Sequence, residues 1–171
     1  LLLLDVASNY ANYNADMTRT IPVSGKFSRR QKQVYNAVLR VLRGASAGLR
    51  AGKRWKEWQK EAEQLVEKEC VDLGLITTRD IKSQDPEMPA VKRFFMHGVG
   101  HPLGPDVHDL GLVTEPMQDG WVMTVEPAIY IPQEGFGVRL ENDVLIRGSG
   151  NIDLMADIPI EAGEIEEAMK P

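Results

Sequence analysis

The sequence predicts an α+β fold, because strand-like segments near both ends of the chain flank two amphipathic helices. Apolar or alternating runs predict strands over 1–7, 13–22, 121–131 and 137–146. Apolar residues at helical spacing predict helices from 29 to 42 or beyond and from 55 to 73. With 171 residues, 43% of them hydrophobic, the chain suits one domain with one substantial core.

Local signals support the two helices. Ser28 and Gln31 have the spacing of a capping box at the start of the first helix. Gly74 is a natural stop for the second helix, because glycine readily adopts the left-handed conformation found after helix ends. Trp55 and Trp58 lie on the apolar stripe of the second helix, and we interpret both as core residues.

Composition excludes several classes of protein. No apolar run approaches the roughly 20 residues that span a bilayer, so neither a membrane span nor a signal peptide is predicted. The net charge of −5 argues against a nucleic-acid partner, and the basic cluster Lys26, Arg29, Arg30 and Lys32 is interpreted as a solvated face. The single cysteine, Cys70, excludes an internal disulfide and favours a cytoplasmic location.

All three histidines of the chain lie within twelve residues of one another. His97, His101 and His108 are spaced among three glycines and two prolines. Such a segment is more typical of a backbone shaped to present imidazoles to one small volume than of a core element.

Acidic residues lie on the predicted strands. If the first two strands pair as an antiparallel hairpin, Asp5 and Asp16 lie side by side across the ladder. In the last strand the two-residue period puts Arg139, Glu141 and Asp143 on one face. A solvated face explains Asp143, whereas the apolar residues around Glu141 leave its exposure open.

The carboxylates of these strands and the nearby imidazoles suggest a metal site. Converging carboxylates repel one another unless a cation is present, and the strand acids Asp5, Asp16, Glu126 and Glu141 with one or two imidazoles can hold two ions. Oxygen ligands without a thiolate favour Mn²⁺, with Co²⁺ or Zn²⁺ also suitable. Two ions about 3.5–4 Å apart would share a water and direct hydroxide at a carbonyl or phosphoryl centre. The residues alone therefore predict metal-assisted hydrolysis.

Five separated parts of the chain resemble the metallopeptidases of the pita-bread fold, and most closely the Xaa-Pro aminopeptidases (aminopeptidase P). They are LDV at 4–6 with DMTRT at 16–20, HGVGH at 97–101, DVHD at 106–109, TVEP at 124–127, and VRLEND at 138–143. The resemblance implies a curved antiparallel sheet covered by helices. It also implies that 1–171 is the C-terminal part of a catalytic domain, with the fold truncated at its N-terminal end. Ala128 departs from the pattern, because many relatives have glycine there.

The resemblance assigns a role to each candidate residue. The implied metal ligands are Asp5, Asp16, His101, Glu126 and Glu141. His97 and His108 are the implied non-ligand histidines of the substrate pocket, Arg139 supports the carboxylates, and Glu126 also manages the proton of the attacking water. The implied reaction releases the N-terminal residue from a peptide with proline second, by attack of a hydroxide that bridges two metals. A homo-oligomer is compatible with the family.

Three alternative functions belong to the same fold. Prolidase shares all five ligands but cleaves only X-Pro dipeptides, and the tail around 159–167 favours the aminopeptidase. Methionine aminopeptidase is disfavoured by the match at 107–109. A non-catalytic peptide-binding module of the same fold would have lost its ligands, whereas all five are present here. Residues 1–171 are expected to hold metal but to turn over X-Pro peptides poorly without the preceding portion of the domain.

Overall fold

The computed structural model describes residues 1–111 and 114–170, and its paired strands are all antiparallel. The strands are β1 (Leu2–Val6), β2 (Asn9–Tyr10), β3 (Tyr13–Asn14), β4 (Met17–Ile21), β5 (Val122–Val125), β6 (Ala128–Ile131), β7 (Phe136–Arg139), β8 (Asn142–Leu145) and β9 (Ile152–Asp153). The helices are α1 (Arg29–Gly48), α2 (Trp55–Asp72), α3 (Thr78–Ser83) and α4 (Ala162–Ala168), with 3₁₀ turns at Ala90–Arg93 and Pro132–Glu134. The α+β prediction is confirmed.

The first two predicted strands do pair, but through a longer connection than expected. β1 pairs with β4, and the short hairpin β2–β3 projects between them. Ala11 and Asn12 form its two-residue turn with φ of 52° and 64°, which is the geometry that matches the twist of a hairpin. The predicted strand 13–22 is therefore two strands, β3 and β4.

The longer connection changes the neighbours of the first aspartate. Asp5 lies opposite Thr18 in the β1–β4 register, and Asp16 lies two residues before Thr18. Asp5 and Asp16 are thus diagonal neighbours on one face rather than directly opposite, a separation that side chains can still bridge.

The last two predicted strands form one long hairpin that is interrupted in the middle. β5 pairs with β8 and β6 pairs with β7, and the same register runs through both pairs: Val125 faces Asn142, and Ala128 faces Arg139. The predicted strands 121–131 and 137–146 are consequently each broken in two. The break falls at 126–127 on one strand and 140–141 on the other.

At this break Glu126 and Glu141 occupy opposite positions, and their backbones bind other segments. The N–H of Glu126 donates to the carbonyl of Val99 at 2.8 Å, and the N–H of Glu141 donates to the carbonyl of Thr18 at 3.0 Å. Pro127 has no N–H to continue the ladder. At this gap the hairpin therefore binds β4 and the histidine segment, residues 97–108.

The helices cover this framework as their sequence signals predict. The Ser28–Gln31 capping box is formed, and Gly74, with φ of +72°, follows the end of α2. Trp58 is fully buried, and its indole N–H donates to the carbonyl of Ala45 on α1 at 2.8 Å. The core prediction is right for Trp58, whereas Trp55 is only partly buried.

Outside the site, the structure shows the surroundings of the basic cluster and of the single cysteine. Arg30 and Lys32 of the basic cluster form ion pairs with Glu134 and Glu166, at 2.6 and 3.0 Å. Cys70 is fully buried, and burial raises the pKa of its thiol to about 12. Within 1–111 and 114–170, no helix has the length and apolar character needed to cross a membrane.

Candidate metal centre

Three predicted ligands from distant parts of the chain meet at the break in the hairpin. Asp16 lies just before β4, His101 in the segment beside β5, and Glu141 between β7 and β8; one ligand atom of each lies within 4.8 Å of the others. Asp16 and Glu141 are only 7% and 2% exposed. Buried acidic groups at this separation are suited to a shared cation.

Two further predicted ligands border this cluster in different ways. Oε1 of Glu126 lies 3.9 Å from Nε2 of His101. The carboxylate of Asp5 lies outside the three-residue cluster, is about half exposed, and is paired with the guanidinium of Arg139. The structure therefore brings Asp16, His101 and Glu141 together, with Glu126 beside them and Asp5 turned to Arg139.

The histidine segment is held beside β5 by a reciprocal contact. The N–H of Thr124 donates to the carbonyl of His101 at 2.9 Å, and the N–H of His101 donates to the hydroxyl of Thr124 at 3.1 Å. A Cβ atom added at Gly100 would lie 1.9 Å from the carbonyl oxygen of Thr124. Glycine at position 100 thus permits an approach that no other residue could make, and this approach sets the position of His101.

The backbone also fixes the tautomer of His101. Its Nδ1 lies 3.0 Å from the carbonyl oxygen of Pro102, which can only accept, so Nδ1 carries the proton. Its Nε2, 3.6 Å from Oδ2 of Asp16, then offers a lone pair to the cluster. Burial lowers the pKa of His101, which keeps the ring neutral as a metal ligand requires.

The other two histidines take different positions. Nδ1 of His97 donates to the carbonyl of Gly98 at 2.7 Å, and its Nε2 lies 3.0 Å from the hydroxyl of Tyr130, from which it accepts. Burial lowers the pKa of His97, so this ring is also neutral. His108 is exposed and packs edge-on against His101, with ring centroids 4.2 Å apart. Neither His97 nor His108 belongs to the three-residue cluster.

Two neutral residues that the sequence did not single out complete the surroundings. The hydroxyl of Thr18 donates to Oε2 of Glu141 at 2.6 Å and accepts from Nε of Arg139 at 3.0 Å. Tyr130 is the partner of His97. Thr18 could have been found from the sequence, because it lies two residues after Asp16 and so shares its side of the strand.

Asp143 corrects the sequence interpretation, which placed it on a solvated face. It is 2% exposed, and its Oδ2 accepts the backbone N–H of Asp16 at 3.0 Å. The start of β4 and the residue before it lie against β8 here, which removes this carboxylate from solvent. Asp143 therefore anchors the backbone of a candidate ligand from within the protein.

The electrostatics of the cluster fit a divalent cation. Burial, together with the nearby carboxylates, raises the pKa of Glu141 to about 8 and that of Glu126 to about 7. Burial and Asp5 also raise the pKa of Asp16. Ionised buried carboxylates are unfavourable without positive charge, and Arg139 provides only one such charge. Carboxylates with one imidazole and no thiolate match the ligand preference of hard or borderline divalent metals.

Metal removal is expected to make the stability of the protein depend on pH between 6.5 and 8. The pKa values of Glu126, Glu141 and Asp143 are raised to about 7, 8 and 7 in the folded state. In this interval the folded chain holds more protons than the unfolded chain, so stability falls as pH rises. We expect a loss on the order of 2 kcal/mol in EDTA. Urea unfolding at both pH values measures this loss. Saturating Mn²⁺ should remove the part that comes from Glu126 and Glu141, and an equal slope with and without metal would contradict the prediction.

Comparison with known proteins agrees with this geometry. Residues 1–148 match metallopeptidase family M24. The chain is 38% identical to the Xaa-Pro aminopeptidase of Haemophilus influenzae, over 99% of this chain and 42% of that protein. It is similar to two solved structures of Escherichia coli aminopeptidase P. One is a Glu-to-Ala variant in complex with substrate (TM-score 0.86, 34% identity, 98% of this chain and 40% of that one). The other is a Zn-substituted form in complex with product (TM-score 0.83, 31% identity, 99% and 42%).

These relatives establish both the fold and the family. The chain spans about two fifths of the length of the relatives it matches. Over that span it superimposes closely on aminopeptidase P, which confirms the pita-bread fold expected from the resemblance. The chain belongs to metallopeptidase family M24.

Proposed function

We propose that this chain carries the catalytic centre of a metal-dependent exopeptidase that releases the N-terminal residue from peptides with proline in the second position. The observation that carries the proposal is the largely buried cluster of Asp16, His101 and Glu141, which lies where the hairpin is interrupted. The relatives named Xaa-Pro aminopeptidase support the substrate class.

The proposed ligands hold two divalent ions, with Mn²⁺ as the first choice and Co²⁺ or Zn²⁺ as alternatives. They are Asp5, Asp16, His101, Glu126 and Glu141. Bound metal would supply an activated water for attack on the scissile carbonyl. The neutral His101, with its lone pair at Nε2, and the buried carboxylates are in the form that such ions bind.

The remaining residues handle protons and charge. Glu126 has a pKa raised to about 7 by burial, which suits a group that takes a proton and returns it near neutral pH. His97, whose ring is held between the Gly98 carbonyl and the Tyr130 hydroxyl, lines the proposed substrate pocket. His108 lies exposed at the rim beside His101, where it can contact the peptide. The guanidinium of Arg139 offsets part of the negative charge of the carboxylates.

A pair of substrates separates this function from prolidase. The aminopeptidase is expected to cleave an X-Pro tripeptide or longer peptide at least as well as the X-Pro dipeptide, whereas a prolidase cleaves only the dipeptide. Release of the N-terminal residue is followed by chromatography in the presence of Mn²⁺. Residues 1–171 are expected to be slower than a chain of the relatives' length, and equal rates would contradict that expectation.

The metal content tests the proposal independently of activity. Anomalous scattering at the manganese edge from crystals grown in Mn²⁺ is expected to show ions at Asp16, His101 and Glu141. An absence of bound metal in fully loaded buffer would instead favour a non-catalytic peptide-binding module. A cytoplasmic location and a homo-oligomeric state remain predictions from the sequence.

A further inference from the structure

Helix α2 also contacts the histidine segment. The backbone N–H of Val99 donates to Oε1 of Gln59 at 2.7 Å. The indole Nε1 of Trp55 donates to the carbonyl of Gly100 at 3.0 Å. Both contacts fall between the first two histidines, so α2 and β5 both form hydrogen bonds to the stretch 99–101.

Val99 links the helix to the candidate site through its backbone. It is fully buried, and its carbonyl accepts the N–H of Glu126 at 2.8 Å. Its own N–H has Gln59 as its partner, and a buried N–H without a partner is strongly unfavourable. Loss of the Gln59 oxygen would therefore favour a rotated backbone at Val99. That rotation would move the anchor of Glu126 and also His101, two residues further on.

Gln59 is itself oriented by charged neighbours. Its Nε2 donates to Oε1 of Glu63, one helical turn later, at 2.7 Å. The same oxygen of Glu63 accepts from Nζ of Lys92 at 2.5 Å. Because the carboxylate can only accept, the amide nitrogen of Gln59 faces Glu63 and the amide oxygen faces Val99. The chain of contacts fixes which atom of Gln59 meets the backbone.

We propose that Gln59, assisted by Trp55, is a positioning residue for the metal centre: its amide fixes the backbone of Val99 so that Glu126 and His101 face the shared site. The expected loss of Mn²⁺ affinity rests on the proposed function, whereas the expected change in the imidazole NMR signals does not. Residues that orient ligands commonly change metal affinity by about 10–100-fold when replaced.

A Gln59→Leu variant tests the role, because leucine has a similar size but no acceptor. Its Mn²⁺ affinity by titration calorimetry is expected to fall about 10-fold. All three histidines of the chain lie in this region, so imidazole NMR signals report on it alone. The signals of His97 and His101 in the metal-free variant are expected to shift. Gln64→Leu is the matched control, since Gln64 is exposed on α2 and makes no side-chain hydrogen bond within the described residues; it should behave as wild type.

A double variant tests whether a restored acceptor for the N–H of Val99 recovers the wild-type behaviour. Gln59→Glu with Glu63→Gln restores an acceptor for Val99, while the new amide at 63 donates to the new carboxylate and accepts from Lys92. It is expected to recover the wild-type affinity and imidazole signals. A merely structural role would lower the melting temperature of Gln59→Leu without changing either readout, and that result would overturn the proposal.

Two further outcomes keep the inference separate from the proposed function. If wild type binds no Mn²⁺ but the imidazole signals of Gln59→Leu shift, the proposed function fails and the positioning role stands. If Gln59→Leu does not fold, Trp55→Phe replaces it, because phenylalanine keeps a ring but cannot donate to Gly100. A smaller shift of the imidazole signals is expected from Trp55→Phe, and unchanged signals and affinity would overturn the proposal.

Discussion

Replacing His101 with alanine is expected to reduce Mn²⁺ affinity by at least about 100-fold, since even residues that only orient a ligand can cost that much. The ring offers its free Nε2 to the cluster, 3.6 Å from Asp16 and 3.9 Å from Glu126. Its removal leaves an incomplete set of ligands around buried carboxylates. Titration calorimetry measures the affinity, and peptide hydrolysis at limiting Mn²⁺ should fall with it.

His108→Ala is the control for that variant. The ring of His108 is exposed and contacts His101 by an edge-on packing with centroids 4.2 Å apart, but it is not part of the three-residue cluster. We expect its removal to change Mn²⁺ affinity only a few-fold and to lower turnover with the metal in place. Equal losses of affinity in the two variants would contradict the division between ligand and pocket histidines.

The features that the sequence predicted correctly depend on neighbouring residues. The capping box of Ser28 and the stop at Gly74 are local signals, and both are present in the structure. The sequence also predicts that the strand acids and one or two histidines share a cation, and the resemblance selects His101 among the histidines. Charged residues on apolar strands and histidines among glycines are each costly or unusual alone, so their joint presence indicated a shared ligand.

The strand breaks could not be predicted, because their cause is not local. Residues 137–146 alternate without interruption, yet the strand pairing is interrupted at Glu141, whose N–H donates to the carbonyl of Thr18. On the other strand the N–H of Glu126 is taken by Val99. Periodicity describes which face a side chain takes. It carries no information about a partner 123 residues away in sequence.

The wrong prediction that Asp143 is exposed has a similar, non-local cause. Whether Asp143 is exposed depends on what covers its face of the sheet, and the residue that binds its carboxylate there, Asp16, is 127 positions away in sequence. Gln59 and Tyr130 were missed because neutral polar side chains on a helix or strand carry no chemical signature. Only the backbone atom or imidazole that each contacts reveals a role.

Gly100→Ala is expected to destabilise the protein by about 3 kcal/mol or more, at the upper end of the range for overpacked sites. The added Cβ would lie 1.9 Å from the carbonyl oxygen of Thr124 and 3.0 Å from Cη2 of Trp58. The first atom belongs to a strand and the second to a fully buried ring, so neither can move aside easily. The segment must shift instead, and His101 shifts with it.

Urea unfolding of the metal-free protein measures this cost, and Gly163→Ala is its control. Gly163 lies in α4, and a Cβ there would meet no atom within 4 Å. Alanine should therefore be neutral or stabilise by up to about 1 kcal/mol, because it favours a helix over glycine. Since Gly100 itself contributes no ligand, a large loss of Mn²⁺ affinity in Gly100→Ala would show that the close approach of the backbone to β5 sets the metal centre. A variant with wild-type stability and affinity would show that the segment can bind metal without that approach.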